Sequence, residues 1–440
     1  MQIDALEQAE TLDAMIGAAE GAGREVARRL MEADLARRAA VPTPWGQCVE
    51  CGARLQSKGL VPRKIKSSVG VLGWQRRVGR CPRGCRVGVV APMDQKLGLV
   101  ASQRTSGELG SRACLLAVFV PFATASKILL RAVGVTLSTS AIWSWVGIAG
   151  KRAQTALMAE IDAMKAGGMP EQEIMDAKVR ELKLVVGADG VMVPFRPNGG
   201  SPKGGLIWRE IKIGILARIG QRRDRHARQV PHVAARRLVA VLGTIDDLVV
   251  RLRLEALRQR ALDAPQLTWI SDGARGLWRA FDEVFAGKAT GILDFYHAAA
   301  HLWEAADAWF GYRPNALIWF AAARPTLRHG GVDGIIDDLA REAARPICGP
   351  KRCAVLSRVH DYFERHREHL RFPDFKEAGL PLGSGFVESA CKWLIQQRFK
   401  GVGIRWSRDG FNHLLLLRLA WTNDRFDALF QPSYAPSPNL

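Results

Sequence analysis

Apolar runs between residues 181 and 294 repeatedly stop at an aspartate, and this constrains the fold more than any other feature. Leu182–Val186 runs into Gly187-Ala188-Asp189-Gly190, Leu267–Ile270 into Ser271-Asp272-Gly273, and Ile292–Leu293 into Asp294. Short apolar runs rich in β-branched residues and bounded by Asp and Gly read as buried strands. Val191–Phe195 continues the first run, and Ile207–Leu216 and Val239–Leu242 add two more. Helical text fills Thr244–Leu262, Gly276–Phe285 and the stretch from His297 to Trp309. The order is three strands, helix, strand, helix, strand, helix. It predicts an RNase H-like layered α/β domain, with early strands meandering and later ones parallel.

In an open α/β sheet the site lies outside the carboxyl ends of the parallel strands. Carboxylates gathered there can hold two Mg²⁺ ions and support phosphodiester chemistry. A second reading stands beside this one. Asp-Gly is a strong hairpin signal, so Asp189-Gly190 and Asp272-Gly273 are also candidate turns. Asp272 is the better ligand candidate, because a helix follows it. A further carboxylate comes from Gly383–Ser407, where Glu388 is the only acid among Lys392, Arg398, Lys400 and Arg405. An acid isolated in a basic helix fits a metal ligand in a groove that holds phosphates. Lys392, one turn on, shares its helix face.

The basic setting extends over the whole chain of 440 residues, with a net charge of +20 and a pI near 10.1. Such a field attracts polyanions, nucleic acid first and anionic membrane second. The opening residues are acidic and polar, unlike a signal peptide. The longest apolar run, Ala113–Ala125, is too short to span a bilayer and contains Pro121. A soluble protein of the bacterial cytoplasm, associated with the nucleoid, is the expectation.

Upstream, residues 1–40 read as a helical segment interrupted near its glycines. Residues 41–95 hold Cys48-Val-Glu-Cys51 and Cys81-Pro-Arg-Gly-Cys85 among strand-like pieces. Two such pairs can close a structural Cys₄ zinc site, giving a zinc-ribbon-like domain, with unrelated buried thiols as the competing reading. The surrounding arginines and lysines suit contact with nucleic acid. Residues 96–150 resemble a helix-turn-helix, with Gly134 at the turn and Ser138 or Ser140 capping the second helix. Ordinary three-helix packing produces the same pattern. A helical linker spans 151–180. The catalytic α/β domain occupies 181–309 and 381–430, a helical insertion 310–380, and a disordered tail 431–440. Within the insertion, Cys348 and Cys353 with His360, His366 or His369 are a weaker candidate for a second metal site.

Asp189 in VVGADG, Asp272 in WISDGARGLW, Asp294-Phe-Tyr-His297 and Gly383-Ser-Gly-Phe-Val-Glu388-Ser together resemble the DDE transposases of bacterial insertion sequences. They look most like the Mutator-like group, in its ISKra-type and ISLre-type branches, and the resemblance covers roughly residues 180–425. It implies a catalytic triad of Asp189, Asp272 and Glu388 holding Mg²⁺ or Mn²⁺, with Asp294 and His297 as accessory residues. It implies a transposase that binds terminal inverted repeats and carries out strand cleavage and transfer. Its partners would be double-stranded transposon ends and target DNA, and it would act as a homodimer or higher assembly. Lys392, Arg398, Lys400 and Arg405 would contact DNA. Trp406, Trp393 and Trp303 are candidates for base stacking, with core packing as the competing reading for each. Two other functions fit the same text: a DNA-binding regulator or domesticated relative with a non-catalytic core, and an RNase H-like structure-specific nuclease.

Overall fold

The computed structural model describes residues 3–197, 205–345 and 349–431. The expected tail, apart from Gln431, lies outside them. The chain forms two compact units, one of residues 1–153 with 424–440 and one of residues 154–423.

The first unit opens with α1 (Ile3–Glu7) and α2 (Leu12–Ala40). The glycine-rich stretch expected to break the helix does not. Gly17, Gly21 and Gly23 lie inside one continuous 29-residue helix capped by Thr11, whose side chain accepts the Ala14 N–H. Strands β1 (Gln56–Ser67) and β2 (Gly70–Arg80) form an antiparallel hairpin. Leu35 of α2 packs with Ile65, Leu72 and Trp74 of that hairpin. Short α3 (Pro92–Lys96) supplies buried Asp94, which pairs with Arg76 at 2.8 Å and Arg63 at 3.8 Å. These two arginines are therefore committed inside the fold.

Next come α4 (Gly107–Phe119), α5 (Phe122–Val133) and α6 (Thr139–Lys165). Ala125 and Leu129 are buried, Gly134 takes a left-handed φ of 72° between α5 and α6, and Ser138 accepts the Ala141 N–H. The expected turn and cap are present. However, α6 does not stop near residue 150. It runs for 27 residues, so the second helix of the motif and the first half of the linker are one element. Gly110 lies against the Trp145 ring, which a Cβ would meet at 2.4 Å. The last described turn, Asp427–Phe430, packs on α4 rather than extending the α/β domain.

The second unit is a mixed α/β domain. After α7 (Ala177–Arg180), strands β3 (Lys183–Phe195), β4 (Ile207–Arg223) and β5 (Gln229–Val241) form an antiparallel meander. Then follow α8 (Ile245–Arg258), β6 (Leu267–Ser271), α9 (Arg275–Val284), β7 (Thr290–Leu293) and α10 (Phe295–Phe310). The sheet order is β5-β4-β3-β6-β7, with β6 parallel to both β3 and β7. This is the meander-then-parallel pattern expected from the strand text. Side chains alternate between faces along a strand, and two small residues show what covers each face. Gly214, level with Ala188, lies against Leu252 of α8, whereas Gly187 lies against Val387 downstream.

The insertion is helical, comprising α11 (Arg313–Arg328), α12 (Val332–Ala343), α13 (Pro350–Arg365) and α14 (Phe372–Glu377). The chain returns through α15 (Gly385–Cys391), a π-helical turn (Lys392–Gln396), α16 (Gln397–Phe399) and α17 (Arg408–Thr422). Asn423 closes the unit by exchanging two buried hydrogen bonds with the backbone of Leu238, at 2.8 and 2.9 Å. No described helix is long and apolar enough to cross a membrane.

Candidate carboxylate centre and four-cysteine cluster

Strand register sets three aspartates side by side. Parallel pairing of β3 with β6 ends at Ala188 and Ser271, and that of β6 with β7 at Ser271 and Leu293. The next residue on each strand is Asp189, Asp272 or Asp294. Asp272 and Asp294 directly follow the ends of β6 and β7, whereas Asp189 lies midway along β3, at the point where its pairing with β6 stops. The expectation that Asp189 ends a strand or opens a turn is not met, because β3 runs on against β4 to Phe195.

Each is held differently. Asp189 Oδ1 accepts its neighbour Gly190 N–H at 2.6 Å, and Cys391 Sγ donates toward Oδ2 at 3.6 Å. Burial pushes the Asp189 carboxyl above its ordinary value and the charge of Asp272 adds to this, while the Gly190 N–H, the Cys391 thiol and His297 oppose it. A carboxylate raised by burial and a like charge is stabilised by a nearby cation. Asp272 Oδ1 accepts the Ala274 N–H at 3.0 Å, and the residue is partly exposed. The turn behind it admits only glycine: a Cβ on Gly273 would sit 1.9 Å from the ring of Tyr362 on α13. The insertion thus packs directly under the Asp272 loop.

Asp294 is 1% exposed and its carboxylate is fully occupied. Oδ1 caps α10 by accepting the N–H groups of Tyr296 and His297 at 2.7 and 2.9 Å, and Oδ2 accepts the N–H of Ser384. Phe295 N–H donates to Leu382 O at 2.9 Å beside it. Gly383 allows the approach, since a Cβ there would meet the Tyr296 ring at 2.8 Å. The segment that leads into Glu388 is therefore tied to the end of β7. Glu388 lies on α15 with its side chain 51% exposed and 3.9 Å from Lys392 Nζ. Cys391, three residues on, connects the same helix to Asp189. His297 is half-buried on the first turn of α10.

The structure gathers Asp189, Asp272, Asp294, His297 and Glu388 at one end of the sheet, but not tightly. Among the described residues, the only three or more Cys, His, Asp or Glu ligand atoms lying within 4.8 Å of one another are those of the cysteine cluster.

The basic residues separate into two groups. Lys392, Lys400 and Arg405 are exposed. Arg398 is buried over the Trp406 ring at 5.4 Å. Trp406 is itself buried, and its indole N–H donates to Phe399 O at 3.0 Å. The expectation that Arg398 and Trp406 meet DNA does not fit these positions, because both are packed inside. Trp393 lies between the guanidiniums of Arg236 and Arg418, at 5.3 and 4.9 Å, and Trp303 packs edge-on to Phe320. Trp208 is exposed, and Lys400 Nζ sits 5.7 Å from its ring centre; nothing in the sequence analysis singled it out. Its signal was available, as an aromatic near the start of the Ile207–Leu216 run, beside Arg209. Cys391 was also passed over, although it lies on Glu388's helix face.

The weaker second metal site does not form among the described residues. His366 and His369 pack on the Trp278 ring at 4.9 and 4.0 Å, burial takes His366 down to about 4, and Cys353 is disulfide-bonded. Cys348 lies outside the described residues.

In the first unit, Cys48, Cys51, Cys81 and Cys85 do converge, with all four sulfurs within 4.8 Å of one another and Cys51 and Cys81 at 3.5 Å. Tetrahedral zinc with Zn–S bonds near 2.3 Å needs sulfurs about 3.8 Å apart, so the set fits that ion. Gly52 (φ 71°) and Gly84 (φ 74°) make the tight turns at each pair. Burial opposes ionisation of Cys81, but the N–H groups of Arg83 and Cys85 and the thiols of Cys51 and Cys48 bring it down to about 7. Cys85 is pushed up by the Cys51 and Cys81 thiols, with burial and Cys48 adding to this.

No family model matches the chain. Over 346 residues it is 24% identical to a Streptococcus gallolyticus protein described as "UPF0236 protein in vanSb 3'region", a match covering 78% of this chain and 69% of that one. Among solved structures, the Drosophila P element transposase strand transfer complex aligns with 77% of this chain and 96% of its own, at 10% identity and a TM-score of 0.33. A likeness at that score carries no weight for the fold.

Two outcomes are expected from this geometry. The purified chain should contain about one zinc per molecule, lost in Cys48→Ser and released as acid protonates the thiolates; metal analysis across a pH series measures both. Asp294→Asn would turn an amide NH₂ toward the Ser384 N–H. It should lower stability by about 2 kcal/mol in urea unfolding followed by tryptophan fluorescence.

Proposed function

We propose that this protein is a DDE transposase of the Mutator-like group, with an RNase H-like catalytic domain that cuts and joins DNA at transposon ends. One observation carries the reading. Strand register lines up Asp189 and Asp272, and Asp294 ties the lead-in of Glu388 to the same edge. Asp189, Asp272 and Glu388 would hold two Mg²⁺ or Mn²⁺ ions. Such a pair neutralises charge at the scissile phosphate and activates the attacking hydroxyl or water.

The rest falls to the chain's own residues. Asp294 serves as a positioning residue, because its oxygens are spent on backbone N–H groups. Lys392 offers a cation beside Glu388, where it can meet a phosphate oxygen. Lys400 and Arg405 extend the basic edge along the backbone of the DNA, which makes binding salt-sensitive. Trp208 replaces the buried Trp406 as the aromatic available to a nucleobase. In the first unit the zinc-held hairpin and the α5–α6 pair supply further DNA contact, with terminal inverted repeats as the specific target and target DNA as the second partner. The similarity to the S. gallolyticus protein extends over most of the chain and is consistent with this reading without specifying it.

The test is a cleavage and strand-transfer assay with Mg²⁺ on DNA carrying the element's own ends. Asp189→Asn, Asp272→Asn and Glu388→Gln should each reduce cleavage by at least about a thousandfold, with DNA affinity within about twofold of the parent. Normal cutting by Asp272→Asn would remove that assignment. Cut products without joined products would point to a structure-specific nuclease, and no Mg²⁺-dependent product from the parent would point to a DNA-binding regulator.

A further inference from the structure

α2 touches the rest of its unit along one face. Leu35 is buried against the hairpin, Glu32 accepts the Gly73 N–H at 2.8 Å, and a Cβ on Gly70 would lie 3.3 Å from Arg28 Cδ. At about 100° per residue, the far side of the helix is formed by Leu12, Ile16, Ala19, Gly23, Val26 and Leu30. Their separations alternate four, three, four, three, four. That is the heptad seam of a coiled coil.

The seam is open. Leu12 is 71% exposed, Ile16 50%, Val26 57% and Leu30 67%. Residues 11–17 are exposed without exception, although the short α1 lies beside the start of the helix. A helical stretch of that length standing alone is marginal in water, and an apolar stripe on it marks a contact surface.

Charge indicates what covers it. Within the 12–30 seam, the half before Gly21 carries Asp13 and Glu20 and no Lys or Arg. The half after Gly21 carries Arg24, Arg28 and Arg29 against Glu25, which pairs with Arg28 and Arg29 within the helix. A second helix of the same sequence, running the opposite way, sets each acidic half against a basic half. A parallel pair would set like against like.

We infer that α2 forms an antiparallel two-stranded coiled coil with a second copy of this chain, on a two-fold axis at Gly21. The spacing is self-consistent about that point. Leu12 comes level with Leu30 of the partner subunit, Ile16 with Val26 of the partner subunit, and Ala19 with Gly23 of the partner subunit. Every seam residue meets another seam residue, as an isologous interface requires. The small residues fall at the centre, where they allow the helices to approach closely. Leu12 and Leu30 on one helix are about 27 Å apart, so the seam spans five turns of helix. This assembly does not depend on the proposed chemistry of the second unit.

The test uses the full-length, zinc-loaded chain. Sedimentation equilibrium should show a dimer, and Ile16→Asp with Val26→Asp should raise its dissociation constant by more than about a hundredfold. Both side chains are exposed in the single chain, so zinc content and thermal midpoint at low concentration should not change. Orientation is read by oxidative cross-linking. Leu12→Cys alone should give no covalent dimer, whereas Leu12→Cys with Leu30→Cys should give a doubly bridged one. A monomer at all concentrations, a dimer indifferent to the two aspartates, or efficient cross-linking by Leu12→Cys alone would each overturn the inference.

Discussion

The candidate site depends on the buried carboxylate of Asp294. Three backbone N–H groups from two distant parts of the chain converge on it: those of Tyr296 and His297 at the start of α10, and that of Ser384 at the approach to α15. The helical insertion, residues 310–380, lies between these two parts in sequence. Without the tether, the return point of the chain would be fixed only by apolar packing, which sets a helix's face more firmly than its position along the axis. With it, the middle of β3, the ends of β6 and β7 and the helix bearing Glu388 share one frame. Gly187 and Gly383 serve the same end, each leaving room where a Cβ would strike Val387 or Tyr296.

The insertion also reaches the site from beneath. Tyr362 fills the space that a side chain at residue 273 would need, and burial together with the charges of Asp272 and Asp294 pushes its phenol well above the ordinary range. The Asp272 loop is thus bounded by a helix some 90 residues downstream. A rigid, water-poor support of this kind preorganises a carboxylate before any ligand arrives.

Much of this was legible in sequence. Apolar runs ending in Asp gave the strand order, and the parallel register followed from the helices between the later strands. The two cysteine pairs gave the cluster in the first unit, because tight Gly-containing turns permit few other arrangements. What was not legible depended on tertiary packing. The glycines of α2 looked like a break because isolated helix propensity disfavours them, yet the helix continues through them. The linker looked separate from the helix before it because polar text begins there, but α6 continues through it, with Ala153 and Ile161 buried along its second half. Trp406 and Arg398 looked like DNA contacts because basic and aromatic residues alternate around them. Burial of an arginine over an indole has the same sequence signature as an exposed phosphate clamp, and only the packed structure separates the two.

The central claim is that Asp189, Asp272 and Glu388 form one divalent-cation centre, and cation binding tests it without relying on turnover. Manganese binding to the zinc-loaded chain, in the presence of a non-cleavable duplex, can be followed by electron paramagnetic resonance. About two Mn²⁺ per chain are expected, with binding lost when any of the three carboxylates is neutralised and the zinc content unchanged. Manganese binding that survives all three substitutions together, or that is absent from the parent protein, would contradict the assignment.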